Sequence, residues 1–218
     1  MLLENNKPHV QMHGTNQWPD PSEFPDFPEI VLGYMAALTE LGHVLMSGVA
    51  LSLGLAENYF RERFTSEPFT PFRLFHYPSD PSSDGTERWG VGEHTDYGVL
   101  TILATDDVPG LEVRNRADRW VKAPPIPGAF IVNIGDMLEI WTCGLYRATP
   151  HRVRNVSDRD RLSAPFFFDP SFDCVVSPLN QFAAEAVTPI ERPPFKYGDY
   201  ILSKVLRVFP ELKKDAIL

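Results

Sequence analysis

Two residues near the middle of this chain are spaced to hold one metal ion between them. In Gly92-Glu93-His94-Thr95-Asp96-Tyr97-Gly98 an imidazole and a carboxylate stand one residue apart. The next residues, Val99-Leu100-Thr101-Ile102-Leu103, form an apolar, β-branched run that reads as a strand, giving one extended segment over 94–104. In extended chain, residues i and i+2 point to the same side, so His94 and Asp96 could aim a nitrogen and an oxygen at one point. That is two-thirds of the facial triad that holds non-haem Fe(II). The pair alone is weak evidence. With six His and 29 Asp plus Glu in 218 residues, about one H-x-D/E arises by chance. The competing reading is a surface turn in which Asp96 caps a backbone amide.

Residues further along change the balance. His151, in Tyr146-Arg147-Ala148-Thr149-Pro150-His151-Arg152-Val153, supplies a third candidate ligand. His94, Asp96 and His151 together would occupy one face of an octahedral metal and leave the other open. A closed zinc site would want four protein ligands, usually with thiolates, and Cys143 and Cys174 are not spaced for it. Arg161 and Ser163 share a face by period two. A guanidinium offers a planar fork to a carboxylate, and the hydroxyl adds a donor. Tyr77, in Arg73-Leu74-Phe75-His76-Tyr77-Pro78, could add a phenolic donor, and Arg73 and Phe75 lie on its face. The second site therefore suits a small dicarboxylate, one end on the metal and the other on Arg161.

These residues need a scaffold of short strands. Residues 1–26 read as an irregular lead-in and 28–64 as helices, the main one over 28–53 and a shorter one over 56–64. Strands are expected over 73–78, 94–104, 111–114, 120–123, 129–134, 146–156 and 162–168, with one or two more in 170–187. A loop covers 79–91, and one or two helical turns cover 137–142, with Asp136 as their cap. An amphipathic helix covers 195–210. Twenty-one prolines and 14 glycines punctuate the β-like segments. The predicted fold is mainly β with flanking helices: a distorted double-stranded β-helix, or cupin-like jelly roll, over 70–180. A net charge of −9, with no Lys/Arg-rich run, argues against a nucleic-acid partner. Two cysteines cannot make a disulfide scaffold, so a reducing, cytoplasmic setting is expected. The apolar stretch 30–55 is long enough to raise a membrane helix, but Glu40, His43 and its glycines favour a buried amphipathic helix, and no membrane partner is expected. His9, His13 and His43 read as solvent or packing residues, and His76, opposite Tyr77, as structural.

Taken jointly, His94-Thr95-Asp96, Asn133-Ile134-Gly135-Asp136, His151-Arg152-Val153, Arg161-Leu162-Ser163 and the Tyr77-Pro78 strand end resemble the isopenicillin N synthase-like branch of the 2-oxoglutarate/Fe(II)-dependent dioxygenases. The resemblance runs over residues 15–205. It implies that His94, Asp96 and His151 bind Fe(II), and that Arg161, Ser163 and Tyr77 hold 2-oxoglutarate. O2 would be the oxidant and ascorbate a candidate reductant. Oxidative decarboxylation to succinate and CO2 would be coupled to hydroxylation, desaturation or cyclisation of a small organic substrate. Phe167 falls where the family has an aromatic substrate contact, although core packing explains it equally well. Phe75 stands near the co-substrate, where Asn is common, as it is at Cys143. The resemblance also implies one oxygenase domain over 1–218, without the N-terminal region usual ahead of Gln17-Trp18-Pro19. Two alternatives stay open: an Fe(II) oxidase that needs no 2-oxoglutarate, as in isopenicillin N synthase, and a truncated, non-catalytic jelly roll that binds metal.

Overall fold

The computed structural model describes residues 12–79, 89–154, 157–185 and 192–210. Most of the expected 79–91 loop, the end of the expected 146–156 strand, residues 186–187 and His9 lie outside these. In chain order the elements begin with α1 (Phe27–Ser52), α2 (Tyr59–Arg63), β1 (Pro68–Phe69), β2 (Phe75–Tyr77) and β3 (Val91–His94). Next come β4 (Leu100–Thr105), β5 (Leu111–Arg114), β6 (Trp120–Lys122), β7 (Ile131–Ile134), α3 (Asp136–Trp141) and β8 (His151–Val153). The chain continues with β9 (Arg161–Ser171), β10 (Val175–Val176), a 3-10 helix (Asn180–Glu185), β11 (Phe195–Lys196) and α4 (Tyr197–Val208). By contacts the chain divides into two units. One holds Met1–Ser66, Ser171–Val175 and Pro194–Leu218, and the other holds Glu67–Pro170 and Val176–Pro193.

The first unit is built on α1, which starts at Phe27 with Pro28 in its first turn, where a missing N–H costs nothing. Met35, Leu38, Thr39, Gly42, His43, Met46 and Ala50 are its buried residues, at the three- and four-residue steps of one helix face. Among the described residues it is the one helix long and apolar enough to cross a membrane, a test that core helices also pass. Burial lowers the His43 pKa from its ordinary value. The edge of the His13 ring meets Phe172, with centroids 4.5 Å apart. In α4, Tyr197, Tyr200 and Ile201 are buried, and a Cβ on Gly198 would overlap the Phe172 ring.

The second unit holds two antiparallel sheets. The larger has the order β1-β9-β4-β7, with β2 also on β9, and the smaller has the order β3-β8-β5-β6. Between β3 and β9 the chain passes repeatedly from one sheet to the other, which is the winding of a double-stranded β-helix. The fold is thus a distorted jelly roll of two antiparallel sheets. Tyr77 and Leu103 from the larger sheet cluster with Leu111 and Val153 from the smaller, and Phe75, Val91, Val113, Ala123 and Ile131 pack on them. On the larger sheet's other face Leu100, Ile102, Phe166 and Phe168 are buried as cross-strand pairs.

The structure corrects several expected elements. The run 94–104 is two strands, because β3 pairs with β8 in one sheet while β4 pairs with β7 and β9 in the other. Residues 95–99 make the crossing, and a Cβ at Gly98 would overlap the Asp169 carboxylate. The expected 146–156 strand shrinks to His151–Val153. Its first part is tied to α3 instead: Tyr146 N–H donates to Thr142 Oγ1 at 3.1 Å, and Ala148 N–H donates to Glu139 Oε2 at 2.6 Å. The region 170–187 yields the end of β9, the short β10 and a 3-10 helix. Asp136 is the first residue of α3 rather than its cap, a place taken by Gly135.

Candidate active site

His94 ends β3 and His151 opens β8, and the antiparallel register sets them directly opposite each other. A register shift between Val91 and His94 re-aims the end of β3 toward that pairing. The two imidazole centroids are 4.2 Å apart. Each ring is oriented from behind. His94 Nδ1 lies 2.8 Å from the Gly92 carbonyl, and His151 Nδ1 lies 3.0 Å from the Thr149 carbonyl. A carbonyl can only accept, so each Nδ1 carries a proton, and in the neutral ring this leaves the lone pair on Nε2. Those two Nε2 atoms converge on the Asp96 carboxylate, whose Oδ1 is 3.6 Å from His94 and 3.7 Å from His151. One donor atom from each of the three residues lies within 4.8 Å of the others. Two neutral nitrogens and one anionic oxygen on one side of a point form a donor set that fits a divalent transition metal with open positions.

The Asp96 carboxylate is held by residues whose roles the sequence did not reveal. Its second oxygen, Oδ2, accepts from Thr101 Oγ1 at 2.5 Å and from Asn133 Nδ2 at 2.7 Å, which leaves Oδ1 toward the histidines. Such partners fix a ligand's orientation. The crossing loop is docked on the start of α3 in the same way. Gly135, Asp136 and Met137 donate their N–H groups to the carbonyls of Val99, Asp96 and Gly98 at 2.8–2.9 Å. A Cβ on Gly135 would stand 2.3 Å from the Gly98 oxygen, so only glycine allows that approach. The Asn133-Ile134-Gly135-Asp136 motif therefore supports Asp96 from both sides, by side chain and by backbone.

A second feature lies along β9. Arg161 is 1 % exposed, and neither its Nε nor its Nη1 has a hydrogen-bond partner. Burial pushes the guanidinium down from its ordinary range, opposed by the Tyr77 hydroxyl and the Asp106 carboxylate. The cation stands over the Tyr77 ring, 5.0 Å from its centroid. A buried cation with two unpaired N–H groups is costly unless an anion meets it, so the pocket fits a carboxylate. Across the antiparallel strands Tyr77 faces Arg161, and Ser163 faces both Phe75 and Thr105. Two rows further, Phe167 faces Thr101, which faces Asn133. Residues directly opposite share a face, so Tyr77, Arg161, Phe75, Ser163 and Phe167 all lie on the sheet face that carries Thr101 and the Asp96 carboxylate. Phe75 also packs on the core cluster and on Tyr77, with ring centroids 5.8 Å apart. His76 faces the other way and bonds Asp160 at 2.7 Å on the surface.

Known proteins resemble this chain. Residues 68–170 match the model of the 2OG-Fe(II) oxygenase superfamily. A probable iron/ascorbate oxidoreductase of Dictyostelium discoideum is 42% identical, over 94% of this chain and 64% of the relative. A homoarginine-6-hydroxylase of Glycine max is 40% identical, over 92% of this chain and 62% of the relative. The chain thus spans just over three-fifths of the length of these two relatives. Among solved structures, JOX2 in complex with 2OG, Fe and JA superposes with a TM-score of 0.77 at 34% identity, covering 89% of this chain and 56% of JOX2. Motif order, sheet winding and whole-chain similarity agree, and the chain belongs to the 2OG-Fe(II) oxygenase superfamily, in its isopenicillin N synthase-like group.

Proposed function

We propose that this protein is an Fe(II)/2-oxoglutarate-dependent oxygenase acting on a small organic molecule. One observation carries the reading: the Asp96 carboxylate of a three-donor metal cluster is held on the sheet face that also carries a buried guanidinium with Nε and Nη1 unpartnered. His94, Asp96 and His151 would hold Fe(II), and Arg161 with Ser163 and Tyr77 would hold the distal carboxylate of 2-oxoglutarate. Fe(II) with 2-oxoglutarate and O2 supplies oxidative decarboxylation to succinate and CO2, coupled to attack on a substrate C–H bond. The chain's own residues position the reactants. Thr101 and Asn133 keep one Asp96 oxygen occupied so that the other faces the metal. The Gly92 and Thr149 carbonyls hold both imidazoles in the tautomer that can ligate. Arg161 neutralises a dicarboxylate where water is excluded, and Phe167 and Phe75 line the face on which a substrate would rest. The apolar cluster behind Tyr77 keeps that end of the pocket dry.

The named relatives act on or bind small molecules, and we extend that class of partner to this chain. Its acidic balance gives no footprint for nucleic acid, and we read α1 as a core helix rather than a membrane anchor. Cys143 and Cys174 are free thiols, which supports the cytoplasm as its location. The test is an anaerobic titration of the purified protein with Fe(II), then 2-oxoglutarate, followed by exposure to O2. A weak visible charge-transfer band that saturates, then succinate formation, is the expected result. Iron binding without the band would favour an oxidase that needs no 2-oxoglutarate.

A further inference from the structure

The face that carries Thr101, Ser163 and Arg161 also holds a charged side chain that no role above uses. Arg73 precedes β2, and the β2–β9 register continues through it. Phe75 is opposite Ser163, the Arg73 N–H donates to Pro165 O at 3.2 Å, Phe72 bridges Phe166, and the Phe167 N–H donates to Pro71 O at 2.9 Å. Arg73 is therefore opposite Pro165 and shares the face of Phe75, Tyr77, Ser163 and Arg161. Leu74 and His76 take the other face, and both are exposed.

The rows of this face place Arg73 between the two halves of the site. On one side is the Phe75–Ser163–Thr105 row, next to Arg161, and on the other the Phe167–Thr101–Asn133 row, on which Asp96 rests. Its own row continues through Pro165, Leu103 and Ile131, all apolar. From strand geometry, Thr101 is one side-chain step along and two strands across from Arg73, roughly 12 Å between Cα atoms. A guanidinium reaching inward from Arg73 would extend toward the metal donors. Arg73 is exposed, and its side chain has no hydrogen bond or ion pair among the described residues. Arg161, by contrast, is buried, with Nε and Nη1 unpartnered.

From this placement we infer that Arg73 binds a carboxylate of the substrate, so that the substrate is a small carboxylic acid with an apolar body. The carboxylate pairs with Arg73, the body lies beside the half-buried Phe167, and the far end meets the metal. The inference rests on the oxygenase reading and names its substrate class.

The test uses holoenzyme loaded with Fe(II) and 2-oxoglutarate. The probes are hexanoate, decanoate, phenylacetate and cinnamate, each paired with its primary amide, and the readout is stimulated succinate formation. At least one acid should stimulate turnover while its amide does not. Arg73→Gln should raise the concentration of that acid needed for half-maximal stimulation about tenfold, the scale of one lost charge-assisted contact. Arg73→Lys should restore most of the response, because the charge remains. The charge-transfer band of Arg73→Gln should match that of the wild type, since Arg161 is untouched. If the wild type forms no band, the oxygenase reading fails and this inference falls with it. If the band forms, three results overturn the Arg73 assignment alone: no acid stimulates, amides work as well as acids, or the acid response survives Arg73→Gln.

Discussion

Replacing Arg161 by methionine should strengthen the empty protein and disable the loaded one. The side chain is almost fully buried, carries a charge, and leaves Nε and Nη1 without partners. Each unmet buried donor costs about 1–3 kcal/mol. Against that stand the contact with the Tyr77 ring, up to about 2 kcal/mol when desolvated, and the attraction of Asp106. Methionine fills a similar volume without polar atoms, and such replacements of buried charge are commonly neutral or stabilising by about 1–4 kcal/mol. We expect apo Arg161→Met to gain between about 0 and 2 kcal/mol, a rise of up to roughly 8 °C in Tm for a chain of this size. The loaded state moves the opposite way. Two charge-assisted hydrogen bonds to the 2-oxoglutarate carboxylate, at about 1.5–3 kcal/mol each, amount to roughly 10²–10⁴ in Kd. Differential scanning calorimetry of both proteins, with and without Fe(II) and 2-oxoglutarate, reads both signs in one experiment. At 2-oxoglutarate a hundredfold above its Kd, the wild type should gain about 2.7 kcal/mol and the variant almost nothing. A variant that keeps its 2-oxoglutarate affinity within threefold refutes the carboxylate pocket. An apo variant weaker by more than about 3 kcal/mol makes Arg161 a structural cation, already satisfied where it stands.

Asn133→Ala removes the 2.7 Å bond to Asp96 Oδ2 and should weaken Fe(II) binding about 10–100-fold with little loss of secondary structure; isothermal titration with Fe(II) under argon measures it, and unchanged affinity would mean that Thr101 alone orients the carboxylate. Gly135→Ala places a methyl 2.3 Å from the Gly98 oxygen, so the crossing loop must shift, and a loss of about 1–3 kcal/mol together with weaker metal binding is expected. Denaturant unfolding checks the first part, and a variant as stable as the wild type would show that the loop relaxes freely. Burial pushes the Cys174 thiol up to about 11 and also raises Cys143. Since a raised thiol pKa favours the protonated folded state, this contribution is complete below the ordinary thiol range and fades as pH climbs from about 9 toward 11. At pH 8 both thiols should react with iodoacetamide far more slowly than in urea, and equal rates would contradict their protonated state.

Much of this site was legible because its chemistry needs rare residue types in a fixed order. His94, Asp96, His151, Arg161 and Ser163 stand out by their joint order and spacing, and the folded chain brings the first three together. The helices were readable from apolar spacing: the expected 28–53 is α1 at Phe27–Ser52, and 195–210 contains α4 at Tyr197–Val208. The short strands were less so. Arg147 to Pro150 look extended by composition, but hydrogen bonds from Tyr146 and Ala148 to Thr142 and Glu139, made only once α3 exists, decide their path. Such competition from a neighbouring element overrides local propensity.

The pairing of His94 with Asp96 is instructive because two residues that do converge emerge from an incomplete geometric reason. A continuous strand would set them on one face through period two. In the folded chain His94 closes a strand of the smaller sheet, and Asp96 lies in the loop that leaves it for the larger one. What aims the carboxylate is the loop's docking on α3 and the grip of Thr101 and Asn133, contributed by the other sheet. His94 and His151 are set by cross-strand register in the smaller sheet. Asp96 is thus anchored in one sheet and both imidazoles in the other, so the metal donors converge only if the two sheets are correctly registered. It follows that variants which loosen the crossing, such as Gly135→Ala, should reduce metal affinity while leaving each sheet's own pairing intact. Hydrogen exchange can separate the two effects: amides of β4 and β9 should stay protected in Gly135→Ala while the Asp136 and Met137 amides, which bond the crossing loop, exchange faster. Equal loss of protection across β4, β9 and the crossing would mean that Gly135 supports the roll as a whole rather than the aim of Asp96.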